Sequence, residues 1–404
     1  MFEGIGIVVG VSGGIAAYRA CDLVRLLVKD GMDVHVVMTE AGARFISPLT
    51  FRALSGHDVG LDIFGTSESI GHIALARKAK AIVIAPATAN TIAKLAHGMA
   101  DNLLTALSLA ARVPVLVAPA MNSAMWENPA TRENVVTLKR RGVRIIGPAA
   151  GEMACGEHGE GKLADAGAIA ETVRMAVALP KDFAGKRFVV NSGPTREPLD
   201  PVRFISNRSS GRMGTAMARA LALRGAEVTF VHGPSEVPPP MGVRAVSVET
   251  AEEMRSKTIG AWKRADGAVL VAAVADFKPV ASAAHKIKKA AAVPAFSLVE
   301  TRDILAEMGK NKGKRFLCGF AAETRDLVKN ASEKLREKNL DMVVANDVSG
   351  KAGGFGSTQN AVTVLTKGGA RFEVPLSDKD AVAWALADVI SGEMIHGRRK
   401  TNAR

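Results

Sequence analysis

Residues 4–11 read GIGIVVGV, an apolar run without alternation, and a strand of that kind must be covered on both faces. Ser12-Gly13-Gly14 interrupts it, Ile15 to Lys29 has helical spacing, Gly31 ends the helix, and Asp33 to Met38 is a second strand. Strand, glycine turn, helix and strand make a βαβ unit, whose right-handed crossover leaves the strands parallel. The order then returns. Arg187 to Asn191 is a strand, a long polar loop follows, and SSGRMG opens a helix that runs to Arg224; Gly225 stops it before the strand Glu227 to His232. A chain that opens two halves this way is expected to fold as two doubly wound, mainly parallel α/β sheets.

Further strands fit both halves: AIVIAPA and VPVLVAPA in the first, GAVLVAAVAD, FLCGFAA and DMVVAND in the second. Between the halves, ALPKDFAGK carries the Pro and Gly of a linker, which places the boundary near residue 185, with domains at 1–185 and 186–404. In open α/β sheets ligands sit beyond the carboxyl ends of the strands, so the polar residues just after these strands are the candidates. Neither glycine loop is a complete dinucleotide fingerprint or a Walker loop. A tight turn and a phosphate cradle both fit such loops, since free amides at a helix start attract anions.

Composition narrows the function. The net charge of +13 suits nucleic acid, an anionic surface or phosphorylated small molecules. Aromatic residues are only 4%, which weakens a base-stacking platform, and the basic end HGRRKTNAR reads as a solvated tail. No apolar run approaches the ~20 residues that cross a bilayer, and the N-terminus reads as a strand instead of a signal peptide, so a cytoplasmic location is expected. The cysteines Cys21, Cys155 and Cys318 are too few and scattered for a disulfide framework. Cys21 and Cys318 are expected in cores. Cys155 and His158 have C-x-x-H spacing with no second pair, which argues against a zinc site.

Four strand-end segments converge in the first half: Ser12-Gly13-Gly14-Ile15, the run PATANT from Pro86 to Thr91, PAMNSAMW from Pro119 to Trp126, and MACGEHGEGK around Cys155. Gly71-His72-Ile73 adds a histidine at a helix start. Taken singly, His72 fits a surface position, Asn122 an N-cap, and Met121, Met125 and Trp126 packing. In combination, GHI, PATANT, PAMNSAMW and ACGEHGEGK resemble the homo-oligomeric flavin-containing cysteine decarboxylases, and residues 1–185 look like a phosphopantothenoylcysteine decarboxylase domain. The resemblance implies a flavodoxin-like domain in which FMN takes a hydride from the cysteine moiety of 4'-phosphopantothenoylcysteine. The resulting thioaldehyde is the electron sink for loss of carbon dioxide, and the enethiolate left behind needs a proton and its hydride back. A thiol with an ordinary pKa of about 8.5 is mostly protonated near neutral pH and can donate. The resemblance makes Cys155 that donor, on a glycine-rich flap, His72 the base of the oxidative step, and Asn122 the holder of the substrate carboxylate. It places Gly13, Gly14, Ile15, Thr39, Thr88, Ala89, Asn90, Thr91 and Ala120 around FMN, with Asp101 and Asn102 adding contacts. Lys162 stands where the family motif carries arginine, which keeps the charge and loses the planar fork.

In the second half, residues 191–214 form a long polar connection, and long loops in compact domains are often functional. Asn207 is flanked by Arg203, Arg208 and Arg212; Ala272 to Asp276 is expected to end a buried strand with a carboxylate, a natural contact for a nucleotide or Mg²⁺; and Lys286-Ile287-Lys288-Lys289 is a short basic run. Together GPTREPLDPVRFISNRSSGRMG, AAVADF, KIKK, GFAAET and ANDV resemble phosphopantothenate–cysteine ligase over about residues 186–390. The resemblance implies a Rossmann-like domain that joins 4'-phosphopantothenate to CTP as an acyl-cytidylate, releasing pyrophosphate, after which the amine of cysteine displaces CMP. A carboxylate is a poor electrophile until its oxygen becomes a good leaving group, and Mg²⁺ and lysines offset the charge. By this resemblance Asn207 belongs to the acyl-cytidylate site and Lys286 contacts the triphosphate. Ala272, Asp276, Arg302, Asp303, Ile304, Leu305, Phe320, Lys334 and Lys338 bind CTP. Lys334 and Lys338 are four apart on an expected helix and share a face.

Fused halves of these two kinds resemble the bacterial bifunctional enzymes of coenzyme A synthesis. The resemblance further implies trimers through the flavin domain and dimers through the ligase domain. A flavin-binding regulatory protein and a nucleotide-dependent oxidoreductase are the competing readings. Intact His72, Asn122 and Cys155 argue against the first, and the missing dinucleotide fingerprint against the second.

Overall fold

The computed structural model of the chain describes residues 1–63, 72–152, 156–288, 296–323, 325–347 and 357–401. They form two compact units, Met1–Ala178 and Leu179–Arg404.

In the first unit, strands β1 (Gly6–Val11), β2 (Asp33–Met38), β3 (Ala81–Ala87), β4 (Val115–Pro119) and β5 (Arg144–Ile145) make one parallel sheet in the order β2-β1-β3-β4-β5. Every residue of β1 and β3 is buried, as an apolar run without alternation requires. The chain steps from β1 outward to β2 and then back across to β3, so the crevice beyond β1 and β3 is the switch point where such sheets take ligands. The helix expected from Ile15 starts differently. Gly14 is extended, no side chain caps the start, and Ile15–Arg19 is a 3₁₀ turn before the α-helix Ala20–Lys29. An antiparallel hairpin, β6 (Ala149–Glu152) with β7 (His158–Lys162), was not expected from the strand patterns.

The second unit contains β8 (Arg187–Ser192), β9 (Arg196–Pro198), β10 (Phe204–Ser206), β11 (Glu227–His232), β12 (Arg244–Ser247), β13 (Gly267–Leu270), β14 (Phe277–Pro279), β15 (Leu298–Glu300), β16 (Phe316–Glu323), β17 (Met342–Asp347), β18 (Gln359–Thr366) and β19 (Arg371–Asp378). The main sheet runs β12-β11-β8-β13-β16-β17-β18-β19, parallel up to β17 and antiparallel through β18 and β19. Apolar clusters cover both of its faces: Phe188 and Val190 enter one, with Phe230 and Leu386, while Val189 enters the other, with Trp262 and Leu317. Phe183, from the stretch read as a linker, is 1% exposed in the first of these clusters.

Two expectations are corrected. The strand read as ending at Asp276 stops at Leu270, because Asn191 Oδ1 accepts from the amides of Val271 (2.8 Å) and Ala272 (3.0 Å), and Thr195 Oγ1 from that of Ala275 (3.0 Å). Side chains thus take over at these amides, while Ala273 keeps one backbone bond, its amide donating to Gly193 O at 3.0 Å. Of the cysteines expected in cores, Cys318 is fully buried, whereas Cys21 is only half-buried, on the rim of its helix.

Candidate functional sites

A cavity of about 670 Å³ opens beyond the carboxyl ends of β1, β3 and β4, and Gly13, Gly14, Ile15, Thr88 and Ala120 of the expected flavin-site residues line it, together with Asn122, the expected holder of the substrate carboxylate. Ile15, Met121, Met125 and Leu163 give it apolar walls, and Arg19, Glu152 and Lys162 bring charge to the rim. The turn that shapes it is tightly held. Ser12 Oγ donates to the Pro86 carbonyl (2.8 Å) and accepts from the Thr88 amide (2.9 Å), which ties the end of β1 to the end of β3. A Cβ on Gly13 would come within 2.4 Å of the Ala41 Cβ, so only glycine lets the two turns close together.

Many of the expected polar residues are helix caps, for a shared reason: the first amides of a helix need an acceptor, after a strand at Thr39, Thr88 and Asn122 and after another helix at Asn102. Thr39 accepts from the Gly42 amide (3.0 Å), Thr88 from Thr91 (3.3 Å), Asn102 from Thr105 (3.0 Å) and Asn122 from Ala124 (2.8 Å). Thr88 and Asn122 also face the cavity; Thr39 and Asn102 are not part of its lining. Ala89, Asn90 and Thr91 form the first turn of the helix Ala89–His97 behind it, with Thr91 buried and its hydroxyl 3.2 Å from Thr88 Oγ1. Asp101 is paired with Lys94 at 2.5 Å.

Asn122 has a second contact of interest. Its Nδ2 donates to the Glu157 carboxylate at 2.6 Å, so a carboxylate already sits at the position expected to hold one. Around it, Met121 N donates to Gly161 O (2.9 Å), Ser123 Oγ to Glu160 O (2.9 Å) and Trp126 Nε1 to Glu160 Oε2 (3.1 Å), which docks β7 on the helix Ser123–Glu127. Cys155 lies outside the described residues, between β6 and β7 in sequence. His72 begins the helix His72–Lys78, and its side chain is likewise outside the description.

In the second unit a cavity of about 510 Å³ gathers Asn207, Ala272, Asp276, Arg302, Asp303, Ile304, Leu305, Phe320, Lys334 and Lys338, which are scattered over the sequence. Its lining carries six basic side chains, Arg208, Arg212, Arg302, Lys334, Lys338 and Lys379, against two acidic ones, Asp276 and Asp303, an excess that favours a polyanion. The helix Arg212–Leu223 starts here behind Gly211, whose φ of 73° favours glycine, and a Cβ on Gly214 would lie 2.3 Å from Ser192 Oγ.

Asn207 Nδ2 donates to the Val274 carbonyl at 2.9 Å, which fixes it against the irregular segment after β13. Lys334 Nζ donates to Phe320 O (2.7 Å), and Lys338 Nζ pairs with Asp303 (2.6 Å), so the two lysines do share a face. Burial pushes the Asp303 carboxyl up, but hydrogen bonds from Lys338 and the Ala306 amide, with the charge of Lys334, outweigh it and hold the carboxyl below its usual range. Lys379 is pulled below the usual lysine range by burial and by the charge of Arg212.

Lys286 is exposed and is not part of this lining; Arg203 bonds both Asp200 and the carbonyl of its neighbour Ile287 (2.6 Å). The motif reading missed Asn191, Asn346, Asn360 and Lys379, which also line the cavity. Asn191 and Asn346 stand at the ends of apolar strand patterns, a signal that could have found them.

The fold and its crevices define a two-site α/β protein, one site apolar with a glycine turn and the other built for an anion. The flavoprotein family matches residues 1–178, and the DNA/pantothenate metabolism flavoprotein C-terminal domain matches residues 183–394. The coenzyme A biosynthesis bifunctional protein CoaBC of Vibrio cholerae is 45% identical over 393 residues, covering 96% of this chain and 98% of its own. That of Bacillus subtilis is 42% identical over 396 residues, covering 97% and 98%. A crystal structure of the C-terminal domain of such a protein, 39% identical, covers 54% of this chain and 100% of its own with a TM-score of 0.47. The chain belongs to the family of bifunctional coenzyme A biosynthesis proteins, which join a decarboxylase and a ligase.

Proposed function

We propose that the second unit converts 4'-phosphopantothenate, CTP and cysteine to 4'-phosphopantothenoylcysteine, and that the first decarboxylates this product to 4'-phosphopantetheine with FMN. The observation that carries the reading is the basic cavity, in which Asn207, Asp276, Phe320, Lys334 and Lys338 lie together although the sequence spreads them over the whole second half. A substrate carboxylate attacks the α-phosphorus of CTP, pyrophosphate leaves, and the amine of cysteine then displaces CMP from the acyl carbon. The arginines and lysines stabilise the charge that builds up on the phosphates. Asp303 is committed to Lys338, so Asp276 is the lining carboxylate offered to Mg²⁺ on the triphosphate.

The first cavity fits a flavin: apolar side chains give it ring-sized walls, and the turn at Gly13-Gly14 leaves backbone beside an uncapped helical start, suited to a phosphate. FMN supplies reversible hydride acceptance when bound. Asn122, which holds the Glu157 carboxylate here, would hold the substrate carboxylate instead, with the Glu157 side chain displaced as substrate enters. Cys155 is assigned as proton donor, and His72 as base, by sequence resemblance.

Ile15 and Tyr18, on the cavity wall, are each 61% exposed, which supports a homo-oligomer that covers them. Trimeric contacts through the first unit and dimeric contacts through the second complete the reading. No helix among the described residues is long and apolar enough to cross a membrane, and a cytoplasmic location belongs to the proposal.

A mass-spectrometric time course with 4'-phosphopantothenate, cysteine, CTP and Mg²⁺ tests both halves in one tube. CMP with 4'-phosphopantetheine is expected. CMP with 4'-phosphopantothenoylcysteine alone would remove the decarboxylase half of the proposal, and no CMP would remove the ligase half.

A further inference from the structure

At the amino end of the first sheet, opposite the flavin-type cavity, Asp33, His35 and His57 converge. Asp33 and His35 are two apart on β2 and so share a face of the strand. The Asp33 carboxylate meets both imidazoles, Oδ1 with His57 Nε2 at 2.7 Å and Oδ2 with His35 Nε2 at 3.2 Å. The two rings stack, with centroids 4.2 Å apart and planes 20° from parallel.

His57 is delivered there by backbone that is pinned on both sides. It follows the left-handed Gly56 that ends the helix Pro48–Ser55, and its amide donates to Ser55 Oγ at 3.2 Å. Three residues later Gly60 pairs with β2, its amide donating to Val36 O and its carbonyl accepting from the Met38 amide, both at 2.9 Å. The cluster therefore stands on a strand and a braced loop, the kind of support that a preorganised site needs.

We infer that Asp33, His35 and His57 form a site for one borderline divalent metal ion of the zinc type. One donor atom from each residue lies within 4.8 Å of the others. Donors around a tetrahedral ion with bonds of about 2.0–2.1 Å stand roughly 3.3 Å apart, so the 2.7 Å contact of His57 with Asp33 must lengthen and the stacked rings must turn until both Nε2 lone pairs point at one ion. His57, 41% exposed, has room for side-chain rotation. Each ring would offer its Nε2 lone pair and carry its proton on Nδ1, while water fills the fourth position. Two imidazoles and one carboxylate select zinc, cobalt or nickel over Mg²⁺, which prefers oxygen donors, so this site is chemically separate from the nucleotide site. A bound ion would tie β2 to the loop after Gly56.

The test uses the full chain, stripped with EDTA and held in excess Mg²⁺, and titrates Zn²⁺ against a chromophoric competitor. Cys155→Ser is titrated beside it, to remove the thiol that could capture the ion. One equivalent should bind to both, and His57→Gln and Asp33→Asn should each weaken it by about tenfold or more. Zinc affinity unchanged in His57→Gln, or lost in Cys155→Ser alone, would overturn the assignment and leave a hydrogen-bonded cluster. Unchanged flavin binding by the first unit would show that the variants are folded where they were altered. Should they not fold, Co²⁺ on the unaltered chain decides: an intense four-coordinate spectrum supports the site, and a weak six-coordinate one overturns it.

Discussion

The two cavities occupy the same place in two similar sheets and are built on opposite principles. The first, beyond β1 and β3, is apolar, and its polar residues are largely spent on helix caps and on docking β7. The second, beyond β8 and β13, is polar and basic, and it borrows residues from β16, the helix Leu327–Glu337 and the start of the last helix at Lys379. The difference teaches how one architecture serves two chemistries. A flat conjugated ligand is held by surface burial, which a few adjacent turns can supply. A triphosphate needs several cations at once. Like charges crowded into one short segment would repel, and the six cations arrive from four separate segments, Arg208 with Arg212, Arg302, Lys334 with Lys338, and Lys379.

The largest effect expected from breaking this comparison is at Cys155. Cys155→Ser should retain flavin and full ligation, yet form 4'-phosphopantetheine at least about 100-fold more slowly, the usual scale for losing a general acid. Product analysis by mass spectrometry checks it, and normal decarboxylation would remove the thiol from the mechanism.

Asn207→Asp turns the comparison around. A carboxylate placed among phosphates should cut ligation by about 10- to 100-fold, the scale of losing a hydrogen bond to a charged group, and leave decarboxylation of supplied 4'-phosphopantothenoylcysteine unchanged. Assaying the two half-reactions separately decides this; loss of both would contradict the division of labour.

The units also differ in how they are braced. Arg224 is buried in the second and bonds Asp182 through Nε (2.9 Å) and Asp388 through Nη1 (2.6 Å), beside the rings of Phe183 and Trp384. Asp182→Ala should leave a buried guanidinium half-satisfied and cost the second unit about 3 kcal/mol. Asp388, far more exposed, should cost under about 1 kcal/mol when replaced by Ala. Denaturant melts of the two variants, read through ligase activity, compare them directly.

The smallest effect concerns pH. Asp303 has a folded-state pKa below its unfolded value of about 3.9, so it binds its proton less readily when folded. Its contribution to stability is full above that value and is lost as pH falls through the lowered folded pKa. Acid melts of the parent and Asp303→Asn should converge at low pH; a constant gap would mean that the carboxylate charge is not the source.

The apolar runs of β1, β3 and β4 were legible because a strand covered on both faces can only be written in such residues. So were Gly31 and Gly225, whose φ values of 83° and 94° suit the glycines that end the two helices. The residues that family motifs assign to the second site lie along one cavity in the structure, with the exception of Lys286. Other features depended on contacts between distant segments. The early end of β13 is imposed by Asn191 and Thr195, some 80 residues away in sequence, and no local pattern near Leu270 announces it. Thr39 and Asn102 carry the same residue signature as Thr88 and Asn122, and only three-dimensional placement separates those that cap a helix from those that also face the cavity. The sequence by itself determined two mainly parallel sheets and two chemistries, because burial and turn geometry act locally. The tertiary structure decided which polar groups converge, because convergence depends on how strands far apart in the chain come to lie side by side.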